Sequence, residues 1–116
     1  MCDKIVKLQS SEGDSITCRV ASTFWTRFRG LMVSPPPPPG EGLLITNCNS
    51  IHMFFMRFAI DAIFLDDEFR IVKLVKDLAP GKLVGAVKGA KQVIELVSGS
   101  TPESFEPGGT LDISPV

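Results

Sequence analysis

The sequence predicts an all-β fold, an antiparallel β-sandwich with one short amphipathic helix, and three observations carry that expectation. About eight short apolar runs are separated by turn clusters, only one stretch has helical period, and strands and helices do not alternate as βαβ units would. The 116 residues suit one domain spanning 1–116, with 44% hydrophobic and 22% charged side chains, the balance of a folded rather than a disordered chain. A domain of this size buries roughly two thirds of its unfolded surface, so neither disulfide nor metal is needed to hold it.

The opening hairpin comes first. Lys4 to Gln9 alternates loosely, Ser10-Ser11-Glu12-Gly13-Asp14 is a dense turn cluster, and Ser15 to Val20 returns as a second strand. The period then changes. Phe24, Phe28 and Leu31 recur at helical spacing after Ser22 or Thr23 as N-cap, which predicts a helix over Ser22 to Met32 closing one end of the sheet. Five consecutive prolines, Pro35 to Pro39, lack N–H donors and have φ near -65°, so residues 34–41 form a proline-rich extended loop. A stiff surface connector is the plainer reading of that run; a ligand for an aromatic groove is the alternative.

Strands are expected next at Leu43 to Thr46, Ile51 to Phe58, Ala62 to Asp66 and Arg70 to Leu78. Pro80-Gly81 breaks the chain, and glycines at 81, 85 and 89 make the following stretch irregular. Gln92 to Val97 is a buried strand. Thr101-Pro102-Glu103 suggests a single helical turn, and Thr110 to Ile113 a last strand.

Charge and cysteine usage exclude several function classes. The formal net charge is -1, so the bulk charge offers nothing to a phosphate backbone, and nucleic acid is not an expected partner. A local cationic stretch (Arg70, Lys73, Lys76, Lys82, Lys88 and Lys91 against Asp77) reads as the solvated face of strands. No basic flank leads into an apolar stretch at Met1 to Lys4, so no secretory signal is expected. The longest apolar region, Ile51 to Leu65, is interrupted by His52, Arg57 and Asp61 and is too short to span a bilayer, so no membrane role is expected. Cys2, Cys18 and Cys48 are odd in number and widely spaced, which predicts reduced thiols in a cytoplasmic protein and no zinc knuckle.

The chemistry-bearing residues concentrate between Cys48 and Asp61, which holds the single His, a dense Phe/Met cluster and a potential Arg57–Asp61 pair. On an unbroken strand His52 shares a face with Phe54, Met56 and Phe58, while Arg57 and Asp61 share the other, about 13 Å apart. His52 could act as a general base or a metal ligand, supported by Cys48 or Asp61. The plainer reading is a covered His52 hydrogen-bonded within the sheet, with Phe and Met as core. No metal is expected, because one His gives too few ligands and Asp66-Asp67-Glu68 reads as a turn. No cofactor is expected either, since Gly81, Gly85 and Gly89 lack a phosphate-loop ending, and no serine nucleophile is expected, since Ser98-Gly99-Ser100 lacks the glycine spacing of a nucleophile elbow.

Three blocks also resemble a known family. Ala21 to Met32 ends in Gly-Leu-Met, Ile51 to Asp66 contains Ile-Asp followed by an apolar strand and Asp, and Val93 to Gly99 is similar to a Leu-Glu-Leu-x-x-Gly block. Their order resembles that of domain of unknown function 192, small prokaryotic proteins. The resemblance implies a jelly-roll-like β-sandwich and no substrate, cofactor or catalytic residue. Ala59 departs from a frequent proline of that family, Phe69 from a frequent turn glycine, and Gly109 from a common aspartate.

The expected function is a non-enzymatic accessory domain that binds a small molecule or a protein. Its low-polarity site would be shaped by His52, Phe54, Met56, Arg57 and Asp61. Two alternatives stand beside it: a small hydrolase or metal-assisted enzyme using His52 and Asp61, and an interaction module docked through the proline-rich loop. Oligomeric state is open.

Overall fold

The computed structural model describes residues 4–23, 31 and 35–116. Among the described residues nine strands follow one another: β1 (Ile5–Gln9), β2 (Ser15–Ala21), β3 (Glu41–Thr46), β4 (Ile51–His52), β5 (Ile60–Leu65), β6 (Ile71–Leu78), β7 (Leu83–Val84), β8 (Gln92–Val97) and β9 (Asp112–Pro115). Seven of them form one sheet in the order β6-β5-β8-β3-β2-β1-β9, while β4 and β7 make a two-stranded ribbon. The chain is all-β, and the described residues contain no helix. Most of the helix expected over Ser22 to Met32 lies outside the described residues. Leu31, expected on its apolar face, is buried in the core. The helical turn expected at Thr101-Pro102-Glu103 is instead a single hydrogen-bonded turn closed by Phe105 N–H to the Pro102 carbonyl at 3.0 Å.

The arrangement corrects the expected all-antiparallel pairing. β2 and β3 run parallel, with Thr17 opposite Glu41 and Ala21 opposite Ile45, so the sheet is mixed. A parallel neighbour needs a long crossover, and residues 22–40, the proline run included, connect the two strands. The large sheet also curls until its edges meet. Arg70 bridges Thr110, Ile71 N–H donates to the Gly109 carbonyl at 2.8 Å, and Leu111 N–H to the Phe69 carbonyl at 2.9 Å. Bringing the ends of a sheet together removes open edges that would invite pairing with other chains.

Side-chain alternation sorts the core onto two faces. Val6, Leu8, Ile16, Cys18, Leu44, Ile63, Leu65, Ile94 and Leu96 fill the inside of the curl, closed by Phe105 and Leu111. Leu43, Ile45, Ile60, Ala62, Phe64 and Val93 point outward from β3, β5 and β8 and are buried beneath Leu31, Ile51, Met53 and Ala90. The three central strands are thus covered on both sides, which is why Ile60–Leu65 is buried at every position and is apolar at all of them but Asp61. Gly42 lets β3 approach β8: a Cβ there would stand 2.5 Å from Leu96 and 2.6 Å from the Glu95 carbonyl oxygen.

Two local features set up the candidate site. In the β5–β6 pairing, Ile60 faces Leu78 and Ala62 faces Val75, so Lys76 and Asp77 together oppose Asp61 in a bulge. Asp77 there has φ 55°. Phe69, at the turn position where the resemblance puts glycine, has φ 63°, the left-handed region that glycine enters without penalty.

Candidate functional site

The outer cover of the central strands is made by residues 47–60 and 79–91, joined by the β4–β7 ribbon, where Ile51 faces Val84 and His52 faces Leu83. Here the structure departs most from the sequence reading. The strand expected over Ile51 to Phe58 ends at His52. Met53 is buried, its N–H donates to the Lys82 carbonyl at 2.7 Å, and its own carbonyl accepts from Gly81 N–H at 2.8 Å and Met56 N–H at 3.2 Å. The last bond closes a turn with Phe54 and Phe55 at its tip.

The consequence is aromatic exposure. Phe54 is 48% and Phe55 81% exposed, and Leu83 on the facing strand is 65% exposed. Phe55 has φ 65°, a conformation that costs a bulky side chain about 1–2 kcal/mol and that turns ordinarily assign to glycine. The expected common face of His52, Phe54, Met56 and Phe58 does not exist as a strand face. His52 is half-buried and stacks on Phe54 with ring centroids 5.2 Å apart. Met56 and Phe58 pack against the outer core, and Arg57 is exposed.

Asp61 lies elsewhere in function as well as in space. It is 2% exposed and points to the inner side of β5, across from the bulge. Its Oδ1 accepts from Asp77 N–H at 2.9 Å; its Oδ2 accepts from Gly99 N–H at 3.2 Å, Thr101 N–H at 3.3 Å and the Thr101 hydroxyl at 2.7 Å. Both oxygens are thus occupied in fastening β5 to the bulge and to the turn after β8. The Arg57–Asp61 pair is corrected accordingly: the carboxylate is held by these donors. Asp77 in turn accepts from the Ser98 hydroxyl at 2.7 Å.

The sequence reading missed a second buried carboxyl, Glu95, on β8 and 6% exposed. Its cross-strand neighbours are Leu43 and Ala62, so it projects into the outer apolar face. Burial pushes its carboxyl up to about 7, opposed by a hydrogen bond from the Leu31 backbone. Its Oε1 is buried with no hydrogen-bond partner. A signal for it existed: a lone acid inside the apolar run Val93-Ile94-Glu95-Leu96-Val97.

The remaining candidates are less productive. Burial pushes the Cys18 thiol up to about 12, which keeps it protonated and unreactive. Cys48 donates to the Ser50 carbonyl at 3.0 Å beside a cleft of about 310 Å³ lined by Asn47, Cys48, Asn49, Ser50, Ala90 and Lys91. A second cleft, of about 520 Å³, is lined by Glu12, Asp14, Glu103, Ser104 and Glu106. Both are polar, unlike the apolar pocket expected around Ile51 to Asp61. Among the described residues no three His, Cys, Asp or Glu side chains converge as metal ligands.

Comparison with known proteins agrees with this all-β architecture. A structure from Sinorhizobium meliloti, provisionally named a transcription regulator, superposes with a TM-score of 0.80 at 20% identity, covering 96% of this chain and 93% of its own. A protein of unknown function from Novosphingobium aromaticivorans gives 0.79 at 18% identity, covering 93% and 83%. At such identities the likeness is one of fold. A UPF0127 protein of Thermococcus sibiricus is 42% identical over 81 residues, 66% of this chain, and the match spans only 52% of that relative's length. Another UPF0127 protein, from Pyrococcus horikoshii, is 39% identical over 92 residues, 77% of this chain and 78% of that one. The family model for DUF192, described as uncharacterized ACR, matches residues 6–113, and the chain belongs to that family.

Proposed function

We propose that this domain is a non-enzymatic binding module whose contact surface is the turn Met53 to Met56 with His52 and Leu83 beside it. The observation that carries the reading is Phe55, 81% exposed at φ 65°. An aromatic ring in solvent gains little from folding, and its backbone costs energy, so the position is explained by a contact outside the chain. Met53 makes the tip rigid from below, which suits a surface that must be presented in one shape. The enzyme alternative is weaker because Asp61, its required acid, has both oxygens committed to four donors. The proline-loop alternative has exposed Pro35 and Pro36 in its favour, but Glu41 N–H to the Pro38 carbonyl and Thr17 N–H to the Gly40 carbonyl tie the end of that loop to the sheet as a connector.

Thermal unfolding of Phe55→Gly tests the reading. Relief of the backbone strain predicts a melting temperature raised by about 4 °C. A lowered melting temperature would make the ring a support of the fold and remove the contact surface.

A further inference from the structure

The geometry points to an anionic lipid surface as the partner of the Phe54–Phe55 turn, which docks the domain peripherally by inserting its tip between headgroups. The inference rests on the contact reading above and names the occupant. Four features carry it. First, the exposed apolar groups, Phe54, Phe55 and Leu83, sit on a convex tip, and none has a polar atom that would need a partner on leaving water. A bilayer accepts such a tip without a matching recess.

Second, the cover that bears the tip is wholly cationic. Residues 47–60 and 79–91 contain Arg57, Lys82, Lys88 and Lys91 and no acidic side chain, while all thirteen acids of the chain lie outside them. All four cations are exposed. Lys82 adjoins Leu83 and is tied through its carbonyl to Met53 at the base of the turn. Arg57 lies two residues from Phe55 and Lys82 adjoins Leu83, while Lys91, bonded to the Leu65 carbonyl, belongs to the opposite end of the cover. Basic side chains beside an apolar tip are the pattern that anionic headgroups attract, with each Lys or Arg near the surface contributing on its own.

Third, charge argues against the nearest competitor among apolar contacts, a second copy of this chain. A symmetric dimer would bring the same cationic cover against itself. Fourth, Leu83 adds aliphatic surface, which hydrocarbon accepts and on which a nucleic-acid base finds no ring to stack. No helix among the described residues is long and apolar enough to cross a membrane, and the mode proposed is attachment to a surface.

Co-sedimentation of the full chain with vesicles tests this. Vesicles of phosphatidylcholine alone are compared with vesicles containing phosphatidylglycerol, for wild type, Lys82→Ala, and the double variant Phe54→Ser/Phe55→Gly. Wild type is expected to pellet with the anionic vesicles only, less so as salt rises. Lys82→Ala should weaken partitioning about fivefold, and the double variant should abolish it while its circular dichroism stays that of the folded protein. Absence of wild-type pelleting, equal pelleting with neutral vesicles, or undiminished pelleting of the folded double variant would overturn the proposal. So would binding to a single-stranded oligonucleotide with none to vesicles. The melting temperature of Phe55→Gly decides separately whether the ring serves an external contact, so a vesicle failure with a raised melting temperature removes the membrane and leaves the contact surface.

Discussion

Asp61 and Glu95 lie on adjacent strands, Asp61 opposite Leu96 and Glu95 opposite Ala62, and both are almost completely buried, yet they have opposite characters. Asp61 faces the inner side at the end of β5, where a bulge and a turn converge four donors on its two oxygens. Glu95 faces the outer apolar layer with a backbone contact from Leu31 and one oxygen without a partner. Burial alone therefore does not say what a carboxyl does. Donor supply does: Asp61 is a fastener whose two oxygens are met by four donors, whereas Glu95 holds its proton near neutral pH because nothing sufficient replaces water around its ionised form.

The largest expected effect comes from removing the fastener. Asp61→Ala leaves three backbone N–H groups and a hydroxyl without their acceptor, and should lower unfolding stability by about 4 kcal/mol. Chemical denaturation measures it. A loss under about 1 kcal/mol would mean that water replaces the carboxylate and that Asp61 resembles a surface acid.

Glu95 should show itself through pH. Its folded-state value of about 7 lies above the unfolded value of 4.5. Below the unfolded value both states are protonated and the stability is fully present. Between the two values the unfolded chain ionises while the folded one keeps its proton, so stability falls as pH rises; above about 7 the loss is complete, of order 3 kcal/mol. Melting temperature followed from pH 4 to pH 8 should decline in wild type and flatten in Glu95→Gln. An identical slope in both would transfer the titration to another group.

How much of this was legible beforehand differs between the two faces. The inner core followed from alternation, because Val6, Leu8, Ile16 and Cys18 recur at every second position, and Gln92–Val97 was read as a buried strand with its observed bounds. The parallel β2–β3 pairing was not legible, since no local residue records which strand returns beside β2. Nor was the outer cover. The expected strand through Phe58 stops at His52 because the chain folds back at once, Met56 N–H closing on the Met53 carbonyl, while Met53 is pinned to Gly81 and Lys82 some thirty residues away. With no glycine at Phe55 to mark the turn, the Phe/Met run looked like core. Asp61 reads as chemistry because it follows His52 and Arg57 in one stretch, while the donors that hold it, residues 77, 99 and 101, are remote in sequence. Glu95 was passed over although an acid inside a doubly covered strand is itself a signal.

The smaller predictions divide the fastener into parts. Thr101→Val keeps the shape of the side chain and removes the shortest of the four contacts, the hydroxyl at 2.7 Å from Oδ2. The carboxylate keeps its three N–H donors, so the cost should be about 1.5 kcal/mol, the range of one hydrogen bond to a charged group.

Ser98→Ala tests the outermost link, where the Ser98 hydroxyl donates to Oδ1 of the exposed Asp77. Water can replace that hydroxyl, so the stability change should stay within about 0.5 kcal/mol. The link still has a second possible use, because Asp77 at φ 55° presents its N–H to Asp61, and the Ser98 hydroxyl could be what holds that backbone in place. The two cases separate in a double-mutant cycle with Thr101→Val, read by denaturant unfolding. Additive losses mean that Asp61 and the bulge backbone hold themselves, and that Ser98 decorates the rim. A coupling above about 0.5 kcal/mol means that the exposed Ser98–Asp77 contact positions a donor for the buried carboxylate, which extends the fastener from the core to the surface.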